Sequence, residues 1–253
     1  MRRNWTWALV CGLAATLVSC GNNQEQDDLA KAQQCLDRVP QSNPTAADAC
    51  LQYVAKYNSP HANKLKCSIY LTSGGLVEDK VVKAYDVLKN TTTNKEASYM
   101  AILSLDKPNV EDAYTKAVSA SPVCQASGDA GFIYISSIVI AGTVMNRKIF
   151  QLTNSGIDIS SPSSITNSVN TLLTECTAGD CGMDLDTLGS SAVAVANAYC
   201  GQGAADQDVC KQINSAVDAA GTDTGDVGQA LMCYLKGMKY SATANAGAGG
   251  CVP

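Results

Sequence analysis

The sequence predicts an all-α protein: helical hairpins stacked as a short α-solenoid or bundle, with disulfides stapling the C-terminal helices. Three observations carry that expectation. Apolar residues recur at three- and four-residue steps in one segment after another from Leu29 onward, the spacing of one helical face. Aromatic residues make up only 6% of the chain while alanine is abundant, which favours close helix packing over a sheet of aromatic and β-branched residues. Helix starts recur about every 16 residues, or about 32 per pair, and a hairpin repeated near that length marks an α-solenoid.

Helices are expected over 29–39, 44–57, 60–73, 76–89, 95–105 and 109–121. Ala46, Cys50, Tyr53 and Tyr57 form one apolar stripe, and Val77, Val81, Tyr85 and Leu88 form another. Asn43-Pro44 and Ser59-Pro60 each place a capping side chain before a proline at the first helical position, where its missing N–H costs nothing. Gly74-Gly75 can end a helix with positive φ. The stretch 47–54, ADACLQYV, echoes 32–39, AQQCLDRV. Residues 113–122, AYTKAVSASP, resemble the second helix of a tetratricopeptide repeat. That resemblance implies that Ala117 lets helices approach, Tyr114 fills the gap and Pro122 stops the helix. Ala97 and Ser98 stand where the family's first helix commonly has a Leu-Gly pair, so the likeness over 29–122 is architectural outside that one half-repeat.

The most apolar run after the leader, GFIYISSIVIAGTVM at 131–145, is too short for a membrane span and reads as a buried central helix, or as one that faces a partner or lipid. Turn formers at 151–164 mark a linker or long surface loop. Helical pattern resumes at 165–176, 186–200, 206–219 and 226–240, and the last residues, TANAGAGGCVP, read as a tail unless Cys251 pins it. The organisation is therefore a leader at 1–19, a tether at 20–28, a helical-repeat region at 29–150 and a disulfide-rich helical region at 165–253, the last two able to pack as one domain.

The leader carries the most specific signal. Arg2 and Arg3 precede an uncharged, mostly apolar run from Ala8 to Val18, the charged start and short apolar core of an export signal. Leu17-Val18-Ser19-Cys20 then resembles the lipobox of bacterial lipoproteins. The resemblance implies that the signal is cut before Cys20 and that the thiol and new amino group of Cys20 are acylated. Several acyl chains hold a protein stably at a membrane without a spanning helix. Gly21 follows the cysteine; in enteric lipoproteins Asp at that place favours inner-membrane retention, so the resemblance points to the outer membrane. The polar stretch GNNQEQDD at 21–28 would lift the folded part off the bilayer.

Loss of residues 1–19 removes two arginines and no acid, and leaves a formal charge of −7. No basic patch for nucleic acid follows from such a balance. Of the twelve cysteines, Cys11 leaves with the signal and Cys20 takes the lipid. The remaining Cys35, Cys50, Cys67, Cys124, Cys176, Cys181, Cys200, Cys210, Cys233 and Cys251 are even in number, and in an exported chain they read as disulfides. Neighbour pairings of Cys176 with Cys181, Cys200 with Cys210 and Cys233 with Cys251 are one choice among many. A zinc site of Cys/His type has little support, because no CxxC pair occurs and His61 is the sole histidine.

The inventory for catalysis is thin. His61 follows Pro60 in a first helical turn, a solvated position, and no nucleophile motif or phosphate-binding glycine loop occurs. Asp180, Asp184 and Asp186, like Asp223 and Asp226, could offer oxygens to calcium but lack the EF-hand spacing and read better as helix caps. No catalytic residue, metal or cofactor is expected. The sequence thus points to a lipid-anchored, non-enzymatic scaffold that binds an envelope protein or peptide. The alternative is a small-molecule or lipid carrier, or accessory subunit of an envelope transport system, with 131–145 lining a cavity.

Overall fold

The computed structural model describes residues 24–90, 94–176, 182–198, 200, 207–242 and 250–253. Eleven α-helices stand among them: α1 (Gln24–Leu36), α2 (Leu51–Val54), α3 (Pro60–Ser73), α4 (Glu78–Asn90), α5 (Lys95–Leu103), α6 (Val110–Gln125), α7 (Ala130–Thr153), α8 (Pro162–Cys176), α9 (Leu185–Ala198), α10 (Gln207–Ala220) and α11 (Thr224–Leu235). A 3₁₀ helix spans Pro44–Cys50. Two short strands, β1 (Lys239–Ser241) and β2 (Gly250–Val252), pair antiparallel with Tyr240 opposite Cys251. The chain is thus mostly helical; the helix expected at 226–240 ends at Leu235, β1 takes up residues 239 and 240, and β2 pairs the C-terminal residues that the sequence left as a pinned or free tail.

α3 follows the expected bounds because its punctuation is local. The Ser59 hydroxyl accepts from Ala62 N at 3.2 Å, Pro60 opens the first turn, and Gly75 takes φ +101° just beyond the end. Elsewhere the structure departs from the sequence reading. The expected helix at 44–57 is mainly 3₁₀, which is why Pro44, Ala47 and Cys50 are buried at three-residue steps, one per turn of that helix. Ala46 is exposed. Asn43 caps nothing with its side chain, which instead accepts from the Thr45 hydroxyl at 2.8 Å.

The tether expected at 20–28 is helical from Gln24 onward. A buried carboxylate explains this, not an apolar face. Asp28 is only 8% exposed and receives Lys56 at 3.0 Å, the Tyr57 hydroxyl at 2.9 Å and Lys31 at 3.1 Å. Hydrogen bonds from Lys56, then Tyr57 and Lys31, hold its carboxyl down at about 2, below the usual 3.8. A group depressed on folding contributes stability above its unfolded pKa and loses it as pH falls through the folded one. The packing of α1 on 44–57 should therefore weaken between about pH 4 and pH 2. Urea midpoints measured across that window should fall in the native chain, and the fall should be smaller in Asp28→Asn.

Pro122 does not stop its helix. It lies inside α6, which runs on to Gln125. Its missing N–H costs the bond to Val118 O, one turn back, and the helix continues only three residues beyond it. The rest of the 113–122 stretch behaves as a close-packing face, with Ala113, Ala117 and Ala120 fully buried.

α7 is the central element. It is 24 residues long and apolar enough to cross a membrane by length and composition, yet every residue from Ser136 to Asn146 is buried by other helices. It packs on α5, α6, α8 and α9. Its buried polar groups are used in tying down loops. Thr143 donates to Val139 O at 2.7 Å and accepts from Leu105 N at 2.8 Å, while Asn146 accepts from Ile157 N at 2.9 Å. One hydrophobic cluster accordingly runs from Cys67 to Leu235, across the 151–164 segment. Most of that segment is a loop, 154–161, between α7 and α8. A smaller cluster around Ala32, Val54 and Ile69 holds the N-terminal helices.

Candidate functional site

Cys11, Cys181 and Cys20, the expected site of lipid attachment, lie outside the described residues. The other cysteines are placed. Disulfides join Cys35 to Cys50, Cys67 to Cys124, Cys200 to Cys210 and Cys233 to Cys251, and Cys176 is also disulfide-bonded. Two of the neighbour pairings are therefore present. The echo between 32–39 and 47–54 turns out to bring its two cysteines together. Cys67–Cys124 links α3 to α6 over a separation of 57 residues, which no spacing rule would have singled out.

His61 is exposed on the first turn of α3. Asp184 and Asp223 are caps, accepting from Thr187 N and Asp226 N, each at 3.0 Å. Asp186 accepts from the Thr224 hydroxyl at 2.9 Å and so ties α9 to α11. Asp180 lies outside the described residues. No group of three or more histidine, cysteine or acidic side chains arranged for a metal occurs among the described residues.

A polar lock joins α6, α7 and α9. The Tyr114 hydroxyl donates to Asp184, Arg147 lies 4.0 Å from the centre of the Tyr114 ring, and Arg147 Nε donates to Glu111 at 2.9 Å. Burial and the bond to Asp184 both push the Tyr114 phenol up. Burial also pushes the Asp184 carboxyl up, but hydrogen bonds from Thr187 and Tyr114 leave it below its ordinary value. Asp184 therefore stays ionised and accepts, Tyr114 stays protonated and donates, and neither is tuned for proton transfer near neutral pH.

Two features are open to other molecules. The first is a cavity of about 130 Å³ lined from five helices: Glu96, Tyr99 and Met100 of α5, Tyr134, Ser137, Ile138 and Ala141 of α7, with further residues from α9, α10 and α11. It is walled mainly by apolar side chains, with Ser191 and Ala192 closing the α9 side. A wider groove of about 390 Å³ between α6 and α9, lined by small polar residues such as Ser121, Ser190 and Asn197, is shallower.

The second is a face of α4. The sequence groups Val77, Val81, Tyr85 and Leu88 as one apolar stripe, the kind of face a packed helix turns inward. The structure instead leaves Val81, Val82 and Tyr85 exposed by 46%, 53% and 56%, and buries Lys80, Ala84 and Val87. Lys80 makes that rotation possible. Its ammonium donates to Ser104 O at 2.6 Å and pairs with Asp106 at 3.1 Å, so a buried cation is bonded and paired. Burial still pushes its pKa down. A buried charge is tolerated only with such partners. α4 packs chiefly on α5; Lys89 Nζ lies 4.2 Å from the centre of the Tyr85 ring, and among the described residues Val81 and Val82 stay about half exposed.

No family model matches the chain, and neither a curated protein nor a solved structure matches it. The fold defines a mostly helical, disulfide-bonded protein.

Proposed function

We propose that this chain is a non-enzymatic lipoprotein of a bacterial cell envelope that holds a protein or peptide partner near the membrane. Acyl chains on Cys20 fix it there, with the outer membrane as the destination. The observation that carries the reading is the exposed face of Val81, Val82 and Tyr85 on α4, since contiguous exposed apolar side chains mark interaction surfaces on otherwise polar proteins. The finer repeat architecture belongs to the same proposal: helices up to α6 stack as tetratricopeptide-like hairpins, supported by the alanines of α6 that face the core. The apolar cavity favours a second reading, the small-molecule carrier, in which Tyr134, Ser137, Ile138 and Ala141 of the apolar run line the ligand.

A photo-crosslinking residue at position 82, carried by the chain in intact envelopes, tests the leading reading. It should capture one defined partner, and Tyr85→Glu should abolish that capture because the face would then present a charge to an apolar surface. Cys20→Ala should move the chain out of the membrane fraction and lower the capture. A chain that crosslinks to nothing above background from position 82, while fractionating normally, sinks the partner reading. Normal fractionation and processing of Cys20→Ala sinks the anchor.

A further inference from the structure

The cavity among α5, α7, α9, α10 and α11 combines three features that together select a ligand. Its walls are apolar: Met100, Ile138, Ala141, Ala192 and Leu231 are among its lining residues. Two hydroxyls on that lining lack a hydrogen-bond partner among the described residues. Ser137 is 3% exposed, and the half-buried Tyr99 has its phenol pushed up by burial alone. Neither oxygen is among the fully buried atoms without a partner, so each is open to the cavity and can bond a ligand or a water there. The third feature is Glu96 on the lining, a third exposed and paired only loosely with its neighbour Lys95 at 3.8 Å.

These features set size and charge. An apolar cavity of about 150 Å³ in a folded protein accepts benzene; a space of about 130 Å³ that is partly open to solvent holds one ring inside and leaves room for a second, fused one at its mouth. A carboxylate on the lining repels an anionic ligand and accepts from a donor. Ser137 can accept from an O–H or N–H at the cavity wall. We infer that this cavity is a binding site for a small aromatic molecule carrying one O–H or N–H donor, of the phenol or indole class, and that it rejects carboxylates. The site is separate from the α4 face, and its success or failure leaves the partner reading untouched.

The test uses the full chain with ¹³C-methyl methionine, embedded in nanodiscs, titrated with indole and with benzoate, and with empty nanodiscs as the blank. Met100 lines the cavity, whereas Met183 and Met238 do not. Indole should shift the Met100 methyl resonance saturably and leave Met183 and Met238 in place, and benzoate should shift none of them. Ser137→Ala should weaken indole about two- to tenfold, the value of one net hydrogen bond. Ala192→Leu should fill the space and abolish the shift; if that variant fails to fold, the selective shift of Met100 in the unaltered chain still decides. A shift spread equally over all methionines, no saturation at Met100, an unchanged affinity in Ser137→Ala, or benzoate binding as tightly as indole would overturn the assignment.

Discussion

Gly228→Ala and Gly189→Ala should each lower stability by about 2 kcal/mol, although alanine is the better helix former. The reason is the closeness of α9 and α11. A Cβ on Gly189 would lie 1.8 Å from Thr224 O and 2.7 Å from Gly228 N, and one on Gly228 would lie 2.1 Å from Leu185 O. The obstructing atoms are backbone, so no side chain can swing away. The helices must separate, or one must shift along the other, and the apolar contacts of Leu188, Ala192 and Leu231 would open with them. Replacing glycine by alanine within a helix otherwise gains about 1 kcal/mol. Overpacking costs typically 1–3 kcal/mol and more against backbone, so the clash outweighs the propensity gain. For a chain of this size about 2 kcal/mol lowers Tm by roughly 4–8 °C. Gly131→Ala is the control. It sits in the first turn of α7, where the nearest atom to a new Cβ is Asp129 Oδ1 at 3.4 Å, and its melting should stay within a few degrees of the parent. Equal melting of Gly189→Ala and Gly131→Ala would show that α9 and α11 do not approach as described.

Those glycines also show where sequence reading stops. α3 was legible to the residue because Ser59, Pro60 and Gly75 punctuate it locally. α7 was legible as a buried helix because a long uncharged run has few other fates in a chain of this composition. Nothing local distinguishes Gly189 and Gly228 from any other helical glycine, since their role lies in a partner helix distant in sequence. The α4 face failed for the same reason. Its apolar stripe is real, but Lys80 finds Ser104 O and Asp106 across the fold, and tertiary partners outweigh the hydrophobic pattern. At 44–57 the wrong period was applied: a 3₁₀ repeat of three buries Ala47 in place of Ala46. α1 begins earlier than its apolar pattern because Asp28 is held by Lys56 and Tyr57. The cavity was anticipated only in that residues of 131–145 line it. Its other walls come from α5, α9, α10 and α11, and a void among five helices is set by packing, which composition does not encode. SAVAVANAY at 191–199 signalled small residues there, and small residues serve close packing as readily as they line a space.

The disulfide between α3 and α6 should be the most stabilising of those in the described structure. Cross-linking removes loop entropy from the unfolded chain roughly with the logarithm of loop length. For the separation of 57 residues between Cys67 and Cys124 the gain is about 4 kcal/mol, against about 3 kcal/mol for a separation of 15 between Cys35 and Cys50. The two bonds also differ in what they hold. Cys67 and Cys124 are fully buried members of the large cluster, and α3 carries Ile69 into the small N-terminal one. Their bond therefore joins the N-terminal helices to the body. Cys35–Cys50 lies wholly within the small cluster. Cys67→Ala with Cys124→Ala should lower the urea midpoint of the whole chain and speed amide exchange throughout α3, α6 and α7. Alanine is the right replacement, because serine would bury two new hydroxyls and add a desolvation cost unrelated to the bond. Cys35→Ala with Cys50→Ala should instead speed exchange in α1 and the 44–57 segment and leave α7 protected. Reversal of that order, with α7 deprotected by loss of Cys35–Cys50 and unaffected by loss of Cys67–Cys124, would mean that the N-terminal helices stabilise the body by some other contact than the one through α3.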